Sequence, residues 1–457
     1  MTLPTSTRSR IPSWGRMELT IAVTFMAFVS VLPLEWVSLS GAAGGVVKPF
    51  HVLGLLFIGM CLARWPASRF ISPVLRRYPG VYLAYFCFLV WVMAAGLSHS
   101  DPYMNGKDLV RAVLYVTTSL FVASFFLHVV GRRTQHLLVW IGVSTTVVLV
   151  AGLGLALAAQ DVNPISLFAE AIAQANPDLI AHRLFRAAFS GATESADASA
   201  NLRHKVFSAD LLALFLSLAL MPVVRARRRL LVAVAAVGGF GIVMLSLSRS
   251  LALCLVAVLG LAAVRAFVTK RARPRQANVM AAAAMLTVLV ALSPVGALVA
   301  ARFSETQSIQ TRSTAATTGF VSEFQAAAIF GTQRASVAVS PHNVFLLSWL
   351  SGGAVGAVFV LAFLVSYIHV WCREARRYFT AAAGWVIPVS QQWVLGIGLL
   401  PLVRAVSAGD GLHMVEWTAV GAFLGLTYAN RRAVLEGRSP EPVMSPAEKS
   451  LGSAVSG

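Results

Sequence analysis

Three groups of residues have types and spacings suited to chemistry on an anion. Asn201-Leu202-Arg203-His204-Lys205, Ser248-Arg249-Ser250 and Ser340-Pro341-His342-Asn343 each open a long apolar stretch. Each group places a cation or a histidine where an apolar helix is expected to begin. That end of a helix carries free N–H groups and the positive end of the macrodipole, so it disfavours cations and binds anions. Ser340 followed by Pro341 fits an N-cap and a first helical position, which puts His342 in the first turn. Arginine adds bidentate contacts to phosphate. The three starts together therefore point to a phosphate-bearing ligand. Any single arginine at such a place also has an ordinary use, reaching to lipid headgroups. Arg302, Arg312 and Arg334 precede the third group, and His342-Asn343 is followed after nine residues by Gly353 and Gly356. Glycines at that spacing allow close helix approach. On the residues alone, His342 has either a catalytic or a structural role.

These groups are positioned by a chain built for lipid. Of its 457 residues 57% are hydrophobic and 12% charged, with mean hydropathy +0.75. A soluble domain carries about a quarter of its residues as charges. A helix needs roughly 20 apolar residues to cross a bilayer core. Twelve stretches qualify: 18–39, 46–64, 80–98, 108–130, 135–159, 205–223, 229–247, 249–268, 277–299, 343–370, 384–405 and 413–430. The sequence predicts an all-α polytopic membrane protein of about twelve transmembrane helices.

There are 37 Lys and Arg against 18 acids, a net charge of +19. The excess concentrates in alternate connections: Arg64, Arg69, Arg76, Arg77; Arg225, Arg227, Arg228, Arg229; Lys270, Arg271; Arg373, Arg376, Arg377; Arg431, Arg432. The positive-inside rule then puts both termini in the cytoplasm. The charge describes orientation, and no nucleic-acid partner is expected. The first apolar stretch is too long for a signal peptide and is expected to remain as a span. Cys61, Cys87, Cys254 and Cys372 have no paired spacing, so neither disulfides nor a metal site is expected. No nucleotide-binding motif or internal repeat is evident, and no cofactor is expected.

The chain is expected to form a single membrane domain over 1–457. Two outer loops, 160–204 and 300–342, are long enough to be functional. Ile165, Phe168 and Ile172, then Leu179, Ile180, Leu184 and Phe185, suit short helices along the membrane surface. Phe320, Phe324, Ile329 and Phe330 suggest another ending at Gly331. Lys107, Arg111, Asp410, His413 and Glu416 lie near outer span ends, as structural pairs or as ligand contacts. The tail 433–457 is expected to be disordered in the cytoplasm.

His-Asn, nine residues, then Gly-x-x-Gly at the start of a span after a long outer loop resembles the bacterial O-antigen ligase family. That family lies within the O-antigen ligase/polymerase superfamily of lipopolysaccharide biosynthesis. Residues 244–251, MLSLSRSL, are similar to the family's Ser-Arg span start, although Ser250 stands where a glycine often follows. Arg312 with the aromatic-apolar run to Gly331 is similar to the family's approach to its histidine. The resemblance covers about residues 200–430; the first five spans match in hydropathy only.

The resemblance implies a fold like the GT-C lipid-linked glycosyltransferases. It implies transfer of polysaccharide from undecaprenyl diphosphate to a sugar hydroxyl of lipid A–core. The reaction would occur at the periplasmic face of the bacterial inner membrane, without metal, and with inversion. It implies His342 as general base and Arg312 in the catalytic site, with Arg203, Arg249, Asn343, Lys205 and Arg302 binding substrate. A helix N-terminus keeps a histidine neutral, as a base must be. Within the superfamily the alternatives are an O-antigen polymerase and a protein O-oligosaccharyltransferase. Against the polymerase, position 323, eleven after Arg312, is Glu323 rather than glycine; against the oligosaccharyltransferase, little sequence follows the last span. A transporter or flippase of lipid-linked oligosaccharide is the alternative of another class. It would usually show repeated halves and ionisable groups near the midplane.

Overall fold

The computed structural model describes residues 15–37, 39, 47–130, 134–174, 176, 179–189, 196–268, 301, 329–333, 344–380, 385–407 and 412–436. In chain order the α-helices are α1 Gly15–Val31, α2 Pro49–Arg64, α3 Ala67–Arg77, α4 Pro79–Gly96, α5 Gly106–Val129, α6 Gln135–Leu138, α7 Ile141–Ala158, α8 Pro164–Ala173, α9 Phe185–Ala188, α10 Ala196–Leu220, α11 Ala226–Leu245, α12 Arg249–Val268, α13 Val344–Thr380, α14 Gln391–Ser407 and α15 Met414–Leu435. A π-helical turn, Leu179–Leu184, precedes α9. There is no strand among the described residues, only an isolated bridge between Pro102 and Gln333.

Helices satisfy every backbone group internally, as lipid demands. Among the described residues five are long and apolar enough to cross a membrane: Pro79–Gly96, Gly106–Val129, Gln135–Ala158, Leu202–Val223 and Val344–Thr380. A sixth is obtained if α2 and α3, bent by 110°, count together. Helix occupies each predicted apolar stretch that falls within the described residues; 277–299 lies outside them, as do most of 300–342 and the tail beyond Glu436.

Apolar side chains gain little from leaving lipid for protein, so close packing has to hold the bundle. Gly421 and Gly425 sit four residues apart on α15 against the backbone carbonyls of Ser119 and Ala123 on α5. A methyl group at either glycine would overlap those carbonyls. Gly142 on α7 donates its N–H to Ser217 Oγ on α10 at 2.6 Å. Aromatic rings fill the joint of α1, α2 and α5, with Phe125 5.1 Å from Phe25 and 5.5 Å from Phe57.

One expectation is corrected at α13. The apolar run 343–370 predicts a continuous span, but Gly353 has φ 61° and ψ −158°, a conformation essentially restricted to glycine. A straight helix of these 37 residues would be about 55 Å long, well beyond a bilayer core. The break divides α13 into a short piece, 344–352, and a long one, 354–380. The short piece folds back on the long one. A Cβ on Gly356 would stand 2.9 Å from Ser348 O, eight residues earlier, which a continuous helix separates by about 12 Å. The break frees the carbonyls of Leu350 and Gly352. Thr332 N–H donates to the first at 2.8 Å and the Trp91 indole to the second at 2.7 Å. The glycines of the motif thus serve a helix break as well as helix contact.

The bundle has two chemically different ends. At one, residues near the starts of α2, α5 and α15 approach one another, and α10 meets both Lys48 and the turn before α12. At the other stand Arg64, 3.9 Å from Glu18, and Glu374, 2.9–3.5 Å from Arg373, Arg377 and Arg431. Arg265 lies there too, over the Tyr378 ring at 4.2 Å. Of the cations that the sequence assigned to one side, Arg64, Arg265, Arg373, Arg377 and Arg431 make these contacts.

Candidate functional site

The site is built from the helix starts. α10 begins at Ala196, not at Asn201, so Arg203, His204 and Lys205 lie in its second and third turns. Their place in a first turn is therefore corrected. Ala196-Asp197-Ala198-Ser199-Ala200 is polar enough to resemble loop yet composed largely of good helix formers. α12 does begin at Arg249, as its sequence predicts.

Two of the three predicted groups meet. His204 Nδ1 is 2.7 Å from Ser248 Oγ, which is 3.3 Å from Ser250 Oγ. Ser248 reaches His204 because Leu247 adopts φ 53°, an unusual conformation for a residue with a branched side chain. Ser246 stabilises this turn: its hydroxyl donates to Val243 O at 2.5 Å and accepts the Ser248 N–H at 3.3 Å. Strained backbone of this kind tends to occur at functional sites.

Arg203 is only 1% exposed. Its guanidinium lies 5.7 Å from the centre of the Phe185 ring of α9, and Phe185 packs edge-on against Phe207. The short helices predicted in 160–204 are present as α8, the π-turn and α9, and α9 covers Arg203. Lys205 is half-buried and within electrostatic reach of Lys48, which also feels Arg111 and Glu35. This set of cations comes from three helices, or the residue just before one: α2, α5 and α10. Lys48 carries a further contact inward: its backbone N–H donates to His51 Nδ1 at 3.1 Å. His51 Nε2 is then the protonated nitrogen, and it lies 3.3 Å from Tyr115 OH. The His413 ring is 6.5 Å from Tyr115.

Other polar groups at this end pair with one another. Asp108 lies 3.8 Å from Arg111. Glu416 forms a fully buried pair with Arg404 at 3.0 Å and accepts the His413 N–H at 2.9 Å, closing the start of α15. Arg302, Arg312, Arg334, His342, Asn343 and Asp410 lie outside the described residues. Of the predicted apolar run ending at Gly331, Ile329 and Phe330 form a turn, with Phe330 stacked on Trp91 at 5.6 Å. No cluster of metal-ligating side chains occurs among the described residues.

Lys48, His51, Tyr115 and Trp91 were not singled out by sequence. Lys48-Pro49 carried a related signal, a cation at the start of an apolar run just before Pro at the first helical position. Tyr115 and Trp91 had no such signal, lying within apolar runs.

The result is a set of basic side chains at one end of the bundle, with His204 against a turn held in a strained conformation. Guanidinium and ammonium groups here can hold phosphate oxygens, and the histidines can accept or relay protons. No protein-family model and no curated protein matches the chain.

Proposed function

We propose that the chain is an O-antigen ligase of the bacterial inner membrane. It would transfer polysaccharide from undecaprenyl diphosphate to a sugar hydroxyl of lipid A–core at the periplasmic face, without metal or nucleotide. In this reading about twelve spans cross the membrane with both termini in the cytoplasm, because the arginine-rich end of the bundle faces inward.

The observation that carries the reading is the motif at α13. His342-Asn343 stands directly before the short helix 344–352, and the first glycine of Gly-x-x-Gly is the residue at which that helix breaks. The resemblance asks for glycine at this position, and the φ of Gly353 supplies a physical reason for it. The approach of Lys48, Arg111 and Lys205, with His204 against Ser248 just before Arg249, gives further support, since a lipid diphosphate leaves with negative charge.

His342 takes the proton of the acceptor hydroxyl. The oxygen attacks the anomeric carbon, the bond from that carbon to the diphosphate oxygen breaks, and undecaprenyl diphosphate departs with the bonding pair. The configuration inverts. Arg249, Lys205, Arg302 and Arg312 stabilise the departing charge, a role worth about 3 kcal/mol for one such hydrogen bond. Asn343 orients the imidazole or a sugar. Arg203, enclosed under α9, acts by holding the start of α10 in place as well as by its field.

A deletion strain separates this from the related activities. A ligase deletion leaves core without O-antigen while carrier-linked chains accumulate. A core bearing a single repeat would indicate a polymerase instead, and normal lipopolysaccharide would remove the reading.

A further inference from the structure

The arginine-rich end holds a second assembly, unrelated to the transfer site. α3 leaves α2 at 110° and so runs across the bundle. In its sequence ASRFISPVLRR, Phe70 and Val74 are buried at i, i+4 spacing, while Arg69, Arg76 and Arg77 are exposed. A helix with its apolar side down and cations outward is suited to the membrane interface. Where its last turn meets α15 there is a recess of about 350 Å³ lined by Ser72, Pro73, Arg76, Arg77 and Tyr428.

The surroundings are short of acid. No hydrogen bond or ion pair engages the guanidinium groups of Arg76 and Arg77 among the described residues. Tyr428 packs edge-on against Tyr78, which lies within electrostatic reach of Arg77, Arg373 and Glu374. Arg431, one turn beyond Tyr428, shares the buried Glu374 carboxylate with Arg373 and Arg377. The buried Arg373 Nη2 has no hydrogen-bond partner among the described residues. Three guanidinium groups therefore share one carboxylate, and two more line the recess with no carboxylate in contact among the described residues. An arrangement of this kind is completed by an anion with several acceptor oxygens, as basic pockets between membrane helices are by phosphate headgroups.

We infer that this recess binds the phosphate of an anionic phospholipid, held by Arg76 and Arg77 with the Tyr428 hydroxyl and Ser72 beside it. The source is a lipid because α3 lies across the helix ends and its flanking helices α2 and α4 expose Leu62 and Leu83 for acyl chains. Bound there, the lipid fixes α3 against α15.

The test is native mass spectrometry of the full chain released from nanodiscs of phosphatidylglycerol and phosphatidylcholine. Wild-type protein is expected to retain phosphatidylglycerol in preference. Arg76→Gln with Arg77→Gln should reduce that preference at least tenfold, from about fivefold per cation at a membrane surface. Arg227→Gln with Arg228→Gln, exposed cations on α11, should leave it unchanged, and thermal melts should show both variants folded. Unchanged retention in the first variant overturns the inference, and so does equal loss in the second. Full displacement of the lipid by millimolar inorganic phosphate would show a free-phosphate site and also overturn it.

Discussion

Replacing Gly353 by alanine tests the role of the broken helix. The residue sits at φ 61°, ψ −158°, which costs an L side chain about 1–3 kcal/mol. Its new methyl group would also overlap the carbonyl of Ile329. Backbone cannot rotate aside as a side chain does, so overpacking adds about 1–3 kcal/mol. If the 329–333 segment withdraws instead, it gives up the Thr332 hydrogen bond to Leu350, worth about 1 kcal/mol, and the stacking of Phe330 on Trp91, worth about 1 kcal/mol. The first route gives a loss of about 2–6 kcal/mol and the second about 3–5 kcal/mol. Gly352→Ala is the matched control. Its methyl group would meet only the Trp91 and Val92 side chains, at 3.1 and 3.2 Å, and should cost no more than about 1.5 kcal/mol. Denaturation midpoints of the purified proteins in one detergent, followed by tryptophan fluorescence, measure the difference. Equal midpoints for the two variants, or a Gly353→Ala midpoint equal to wild type, would refute the break and its contact with Ile329.

Other perturbations have equally definite outcomes. Arg404→Met leaves Glu416 buried and unpaired and should cost about 3–5 kcal/mol, whereas Arg404→Met with Glu416→Leu should recover most of that; denaturant midpoints compare them. Ser248→Ala removes the partner of His204 Nδ1 and should lower O-antigen attachment, read on gels of extracted lipopolysaccharide, with little change in protein level. Arg249→Ala should reduce the rate of transfer roughly 100-fold in a purified assay while the thermal midpoint moves little. Chelation with EDTA should leave that rate unchanged.

The helices were legible wherever an apolar run was long, because lipid demands both the length and the composition. Their ends were less so. α15 extends to Leu435 although the apolar run stops at Arg431-Arg432, since long basic side chains can leave the membrane while the backbone stays helical. α10 begins upstream of its predicted start because a polar helix turn and a loop look alike in composition. The break at Gly353 was hidden for the opposite reason: the sequence on both sides is continuously apolar, and only the approach of Ile329, twenty-four residues away in the chain, makes the turn necessary. The buried Arg404–Glu416 pair is likewise a product of packing between α14 and α15. For the site, the cations at helix starts were visible as exceptions to orientation by charge. That Arg203 lies enclosed beneath Phe185, and that Lys48 and Lys205 share one field, depends on which helix starts assemble side by side.

The most direct measurement of the central claim is transfer by the purified chain, supplied with undecaprenyl-diphosphate-linked glycan and lipid A–core and no metal or nucleotide. The account predicts covalent glycan on the core with wild-type protein, and a loss of at least 100-fold with His342→Ala. Wild-type protein that moves the carrier across the bilayer without joining glycan to core would contradict it, as would a His342→Ala variant that transfers at the wild-type rate.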